Sequence, residues 1–127
     1  MDDELIELPI VHQSNLVIPA KAGIAHGLLY RFSMGGWVYI MANKRDGVLY
    51  IGVTADLPTR IGQHRDGKGS AFCRRYGLDR LVYAEHHADI VKAIAREKAM
   101  KAWKRAWKIE LIEQLNPDWS DLYDRLI

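Results

Sequence analysis

Trp37-Val38-Tyr39-Ile40-Met41-Ala42, Asn43-Lys44-Arg45-Asp46-Gly47, Val48-Leu49-Tyr50-Ile51-Gly52-Val53 and Asp56-Leu57-Pro58-Thr59-Arg60-Ile61-Gly62-Gln63-His64-Arg65 follow one another almost without interruption. The first and third runs are β-branched and aromatic, and the second is turn chemistry, so residues 37–42 and 48–53 predict a β-hairpin. Asp56 can cap a helix that begins near Leu57, tolerates Pro58 in its first turn and runs to about Arg65.

Downstream, Asp66-Gly67-Lys68-Gly69-Ser70 reads as a flexible basic loop, and Gly77 and Asp79 precede a third strand over 80–86. Asp89 can cap an amphipathic helix over 90–104, and a further helical segment reaches residue 115, where Asn116-Pro117 stops it. The order ββαβαα predicts a small single α/β domain, with a three-stranded antiparallel central sheet flanked by helices. Upstream, residues 1–34 show no sustained period of 2 or 3.6, and Pro19 and Gly23 interrupt them. The expected division is therefore residues 1–33 as a poorly structured extension or mis-assigned start, and 34–123 as the domain. The alternative is an ordinary N-terminal strand supplied by Leu5 to Val11.

A chain of 127 residues with 49% apolar content is sized for one packed core. No apolar run approaches the roughly 20 residues of a membrane span, and residues 1–33 lack a basic region followed by a long apolar stretch, so a secretory signal is not expected. Cys73 is the only cysteine, which excludes an intrachain disulfide and suits a reducing cytoplasm. The net charge of +2 conceals an asymmetry. Residues 1–30 carry one lysine against four carboxylates, net −3, whereas residues 60–108 carry thirteen Lys and Arg against five carboxylates, net +8. Such a basic body is what a polyanion-binding surface requires, although solvated helix faces produce the same statistic.

Strand parity puts Tyr50 and Gly52 on one face, and an even-numbered loop would add Tyr39 to it. The Leu49/Ile51/Val53 face would then pack the core, the two phenols would project together, and Gly52 would leave room for a ligand backbone. Cross-strand tyrosines are equally common as plain sheet stabilisers. Arg60 and His64, at i and i+4, stack on one helix face, suited to clamping a phosphate and assisting proton transfer, or simply to facing solvent. Glu97 interrupts the apolar stripe of Ile90, Ala93, Ile94, Met100 and Trp103, and a buried carboxylate needs a partner. A salt bridge to Arg60 or Lys101 would satisfy it, as would a hard cation such as Mg²⁺. Asn116 can end a helix or orient a phosphate or water. His86-His87 lacks zinc-site spacing, and Cys73 reads as a packing residue. Arg74, Arg75, Tyr76, Lys101, Lys104 and Arg105 are the candidate nucleic-acid contacts.

Together these motifs resemble the GIY-YIG nuclease superfamily, in particular its small stand-alone bacterial members, which are related to the N-terminal domain of an excinuclease component. Trp37-Val38-Tyr39 departs from the first motif in lacking its glycine, while Tyr50-Ile51-Gly52 matches the second fully. Asp56-Leu57 with Arg60 and His64 resembles the helix motif, Arg96-Glu97-Lys98 the metal-binding segment, and Leu115-Asn116-Pro117 the closing motif. The resemblance covers about residues 34–123. It implies a metal-dependent endonuclease that hydrolyses DNA phosphodiester bonds in the cytoplasm, in repair or recombination, on branched or damaged DNA. Glu97 would hold one Mg²⁺ or Mn²⁺, Arg60 would stabilise the phosphate, Tyr50 would act as base, and Tyr39 and His64 would position or relay protons. Val53 stands where some relatives place a lysine. The alternative is a nucleic-acid-binding module of the same fold whose cleavage is weak or needs a protein partner.

Overall fold

The computed structural model describes residues 16–17 and 35–126. Strand β1 is Leu16–Val17, β2 is Gly36–Ala42 and β3 is Leu49–Thr54. Helices α1 (Leu57–Arg65) and α2 (Ala71–Tyr76) precede β4 (Arg80–His87). Helices α3 (Ile90–Lys101) and α4 (Arg105–Leu115) follow, and a 3₁₀ turn over Leu122–Leu126 closes the described chain.

The predicted hairpin forms, with Tyr39 opposite Gly52 and Met41 opposite Tyr50. Directly opposed residues share a face, so parity does bring Tyr39 and Tyr50 to the same side. Strand β2 pairs antiparallel with β4 on its other side, giving the predicted three-stranded core. Leu16 and Val17 add a short fourth strand outside β4, so the sheet order is β1-β4-β2-β3 and β3 is an edge. Apart from these two residues, the expectations for 1–33, including a strand at Leu5 to Val11, lie outside the described residues.

Between Ile40 and Met41 the register with β4 shifts by one residue: Ile40 faces Tyr83 but Met41 faces Leu81. Val82 is the extra residue, a bulge that keeps the apolar sets of β2 and β4 in step. On one face, Trp37, Tyr39 and Met41 pack with Leu57, Ile61, Cys73, Leu78, Leu122 and Leu126. On the other, Val38, Ile40, Ala42 and Ile51 pack with Ala93, Met100, Leu111, Ile112 and Trp119. Helices α1 and α2 with the 3₁₀ turn thus cover the first face, and α3 and α4 the second. All seven residues of β2 are buried, as in any central strand covered on both sides. The expectation of a core face and an open phenol face is corrected here: both faces are core.

Two helix boundaries also differ. The helix expected over 90–104 ends at Lys101, where the Ala102 and Trp103 amides bond back to Ala99 and Met100 in a tightened turn. Lys104, with extended backbone, starts α4 afresh. Helix α2 was not expected. Ser70 Oγ accepts from the Phe72 and Cys73 amides at its start, and Gly77, at φ 68°, ends it in the left-handed region.

Candidate active site

Helix α1 starts where predicted: Asp56 accepts from the Thr59 amide at 3.4 Å and from its hydroxyl at 2.8 Å. From that fixed start, Ile61 points into the core and His64 follows, only 4% exposed. The His64 ring lies over the same sheet face as the hairpin phenols, and its Nε2 is 2.8 Å from Tyr39 Oη. Tyr39 and Tyr50 ring centroids are 6.3 Å apart, and Tyr50 meets the edge of His64 at 5.5 Å. Arg60, one turn earlier, interacts with both phenols and bonds Gln63 Oε1 at 3.1 Å. Four of the expected residues, from β2, β3 and α1, therefore converge.

Two glycines make the convergence feasible. A methyl at position 52 would lie 2.5 Å from Tyr39 Cζ, and one at position 69 would lie 2.5 Å from His64 Nδ1. The space beside Gly52 is thus filled by the protein's own phenol, which corrects the expectation of room for a ligand backbone. Tyr39 itself is 1% exposed and does not project into solvent.

Burial pushes Tyr39 up to about 12, against the opposing hydrogen bond from Arg60. Burial, followed by the Arg60 charge, holds His64 down at about 4. At neutral pH the pair is a phenol beside a neutral imidazole. His64 Nδ1 is buried without a partner, and an unpaired N–H is harder to accommodate than an unpaired lone pair. Hydrogen-bond accounting therefore puts the proton on Nε2, donated to Tyr39 Oη, which leaves the Tyr39 hydrogen free to turn elsewhere. Cys73, also buried, is pushed up to about 11 and stays a thiol, a packing residue as expected.

Glu97 is placed differently. Helix α3 packs on the sheet face opposite Tyr39, across β2 and the edge strand β3. The Glu97 carboxylate is 9% exposed and pairs with Lys101 Nζ at 2.7 Å, not with Arg60. Of the two ways to satisfy this carboxylate, the ion pair is the one formed. No group of three or more His, Cys, Asp or Glu converges as a metal cage among the described residues. The donor chemistry nevertheless suits a hard cation held by one carboxylate and waters, since Lys101 is half exposed and can swing away.

Asn116 is 1% exposed and fully committed: Nδ2 donates to the Val82 and Ser120 carbonyls, and Oδ1 accepts from the Ser120 amide. It clips the C-terminal segment to β4 through these bonds. Arg105 is likewise engaged, donating from Nη2 to the Asp46 and Gly47 carbonyls at 2.8 and 2.6 Å. Arg74 reaches the Gly67 carbonyl and Arg75 lies over the Tyr76 ring, both on α2 beside the tyrosine face. Lys101 pairs with Glu97, and Lys104 lies over Trp107, on the α3–α4 side.

Sequence reasoning missed the most buried charge among the described residues. Glu85, 0% exposed, takes a fork from Arg96 at 2.8 and 3.1 Å, a bond from Tyr83 Oη at 2.6 Å and one shared with His87 Nε2. Its signal was an acidic residue inside an apolar strand. Burial and the Glu85 charge push Tyr83 well above the usual phenol range.

The family described as GIY-YIG catalytic domain matches residues 35–110 of the chain. A UPF0213 protein of Streptococcus pneumoniae serotype 4 is 36% identical over 78 residues, which cover 61% of this chain and 78% of that protein. A UPF0213 protein of Staphylococcus haemolyticus is 35% identical over 78 residues, covering 61% and 94%. One from Aeromonas salmonicida is 32% identical over 88 residues, covering 68% and 63%. No solved structure matches the chain.

Proposed function

Because the chain belongs to the GIY-YIG family and carries its nuclease fold, we propose that it is a metal-dependent endonuclease that hydrolyses DNA phosphodiester bonds. The observation that carries this reading is the convergence of Tyr39, Tyr50, Arg60 and His64. Phenols and an imidazole can move a proton, and a guanidinium can clamp a phosphate in a fork.

In this proposal a phosphate enters at the edge strand β3, between Tyr50 and Arg60 on one side and Glu97 reaching round from α3 on the other. Arg60 stabilises the charge that builds on the phosphate as water attacks. Tyr50 takes the proton of that water. The Arg60 guanidinium beside Tyr50 stabilises the negative charge that builds on the reacting group as that proton moves. Tyr39, too buried to ionise readily, accepts a hydrogen bond from Arg60 and shares one with neutral His64, and the two rings fix the geometry around Tyr50. Nucleases of this family generally use divalent metal ions. Glu97 would hold one Mg²⁺ or Mn²⁺, which supplies charge neutralisation at the phosphate and acidifies water. Arg74 and Arg75 extend the basic approach on the same side.

A second reading is favoured by a specific observation: Lys101 neutralises Glu97. On that view the chain is a nucleic-acid-binding module that cleaves only when a substrate or protein partner displaces the lysine. A cytoplasmic setting in DNA repair or recombination suits either reading. Among the described residues, no helix is long and apolar enough to cross a membrane.

The test is cleavage of supercoiled, single-stranded and branched DNA with Mg²⁺ or Mn²⁺ and then with EDTA, beside Glu97→Ala and Tyr50→Phe. The expected loss is roughly 100-fold or more for each variant, the scale of removing one preorganised catalytic group. Undiminished cutting by Glu97→Ala would sink the metal assignment. Tight, salt-sensitive binding without cleavage on any substrate would establish the second reading.

A further inference from the structure

Beside the tyrosine group the protein exposes aromatic surface that its core does not use. Phe72 is 42% and Tyr76 43% exposed, at i and i+4 on one face of α2. Phe72 stacks on Tyr50 with centroids 6.1 Å apart and planes 30° from parallel, and Tyr76 follows at 4.9 Å. A continuous row of rings therefore runs from His64 through Tyr50 and Phe72 to Tyr76. The row is held rigidly, because Ser70 caps α2 at one end, Gly77 turns the chain at the other, and Cys73 anchors it in the core. Its flanks are cationic: Arg60 lies at the Tyr50 end and Arg75 over Tyr76, and α2 carries no carboxylate.

Resting on the nuclease reading, we infer that Phe72 and Tyr76 form a stacking platform for unpaired bases, so that the preferred substrate is DNA with single-stranded nucleotides next to the scissile bond. Ring faces of bases inside a duplex are covered by their neighbours and reach a protein only after unstacking. Exposed aromatic rings between cations instead match the sequence-tolerant recognition of single strands, with bases on the rings and phosphates on the arginines. Phe72 follows Tyr50 in the row and Arg60 lies beside Tyr50, so a strand stacked on Phe72 leads its backbone to Arg60. A protein partner or second copy could also use exposed rings, but the cationic flanks with no carboxylate on α2 suit a polyanion better.

The test measures binding of one labelled oligonucleotide to the full chain, as a single strand and as a duplex, in EDTA so that cleavage plays no part. Phe72→Ala is expected to weaken single-strand binding by about 5- to 100-fold, the loss of one stacked base. Duplex binding and the salt slope stay unchanged, because no phosphate contact is lost, and Phe72→Trp retains full affinity. Equal loss on both forms, no loss on either, or loss of a dimer in light scattering as the sole effect of Phe72→Ala would overturn the platform. Wild-type protein that binds no DNA would overturn the nuclease reading with it, whereas single-strand binding indifferent to Phe72→Ala overturns the platform alone.

Discussion

At the scale of single residues, the Tyr39–His64 pair joins the core to the chemistry. Parity along the hairpin was enough to place both phenols on one face, because strand period is fixed by the backbone. The role of Gly52 was not legible, because which side chain fills the space above a glycine depends on ring positions that no local pattern encodes. His64 gives the pair a measurable signature. It titrates at about 4 in the folded chain against an ordinary value of 6.5, so the unfolded chain takes up the proton first. Its contribution to stability is therefore whole above about pH 6.5 and is lost as pH falls toward about 4, reaching about 3 kcal/mol. Urea unfolding of wild type and His64→Gln between those limits should show their difference shrinking by that amount. A constant difference would remove His64 from the acid response.

At the scale of elements, caps and turns were readable and interruptions were not. Asp56 and Asp89 cap α1 and α3 as their side-chain chemistry predicts. The break at 102–104 is hidden, since apolar spacing continues through Trp103 while the backbone turns. Helix α2 is too short for periodicity, and only Ser70 and Gly77 mark it. Arg105, a candidate nucleic-acid contact by its charge, ties α4 to the β2–β3 turn in the structure. Arg105→Ala should cost about 1–2 kcal/mol in urea unfolding, the loss of charge-assisted bonds, and leave the salt slope of DNA binding unchanged. Arg75→Ala should do the reverse, lowering that slope by about one with little change in stability.

At the scale of the whole molecule, the antiparallel three-stranded core and flanking helices followed from element order, while the covering of both faces did not. Binary patterning reports that a residue is buried, not which layer buries it. The network around Glu85 shows the difference, since it fastens β4 to α3 with a carboxylate that no pattern would place in a core. Breaking it by Arg96→Met leaves that carboxylate with only Tyr83 and His87, and should cost about 3–5 kcal/mol. Thermal unfolding would register this as a fall of many degrees. A neutral result would mean that the bonds from Tyr83 and His87 alone satisfy the carboxylate.

The hairpin and α1 are contiguous in sequence, whereas α3 follows β4 in the chain and packs back on β2 and β3. Contacts between near neighbours close small loops and form early, and distant ones wait for longer searches. The cluster of Tyr39, Tyr50, Arg60 and His64 can thus assemble while the chain is still folding, with the carboxylate on α3 joining it last. In the proposed nuclease, completion of the sheet is then also the step that brings in the acidic group, so that a chain stalled before β4 docks would present the arginine and tyrosines without it.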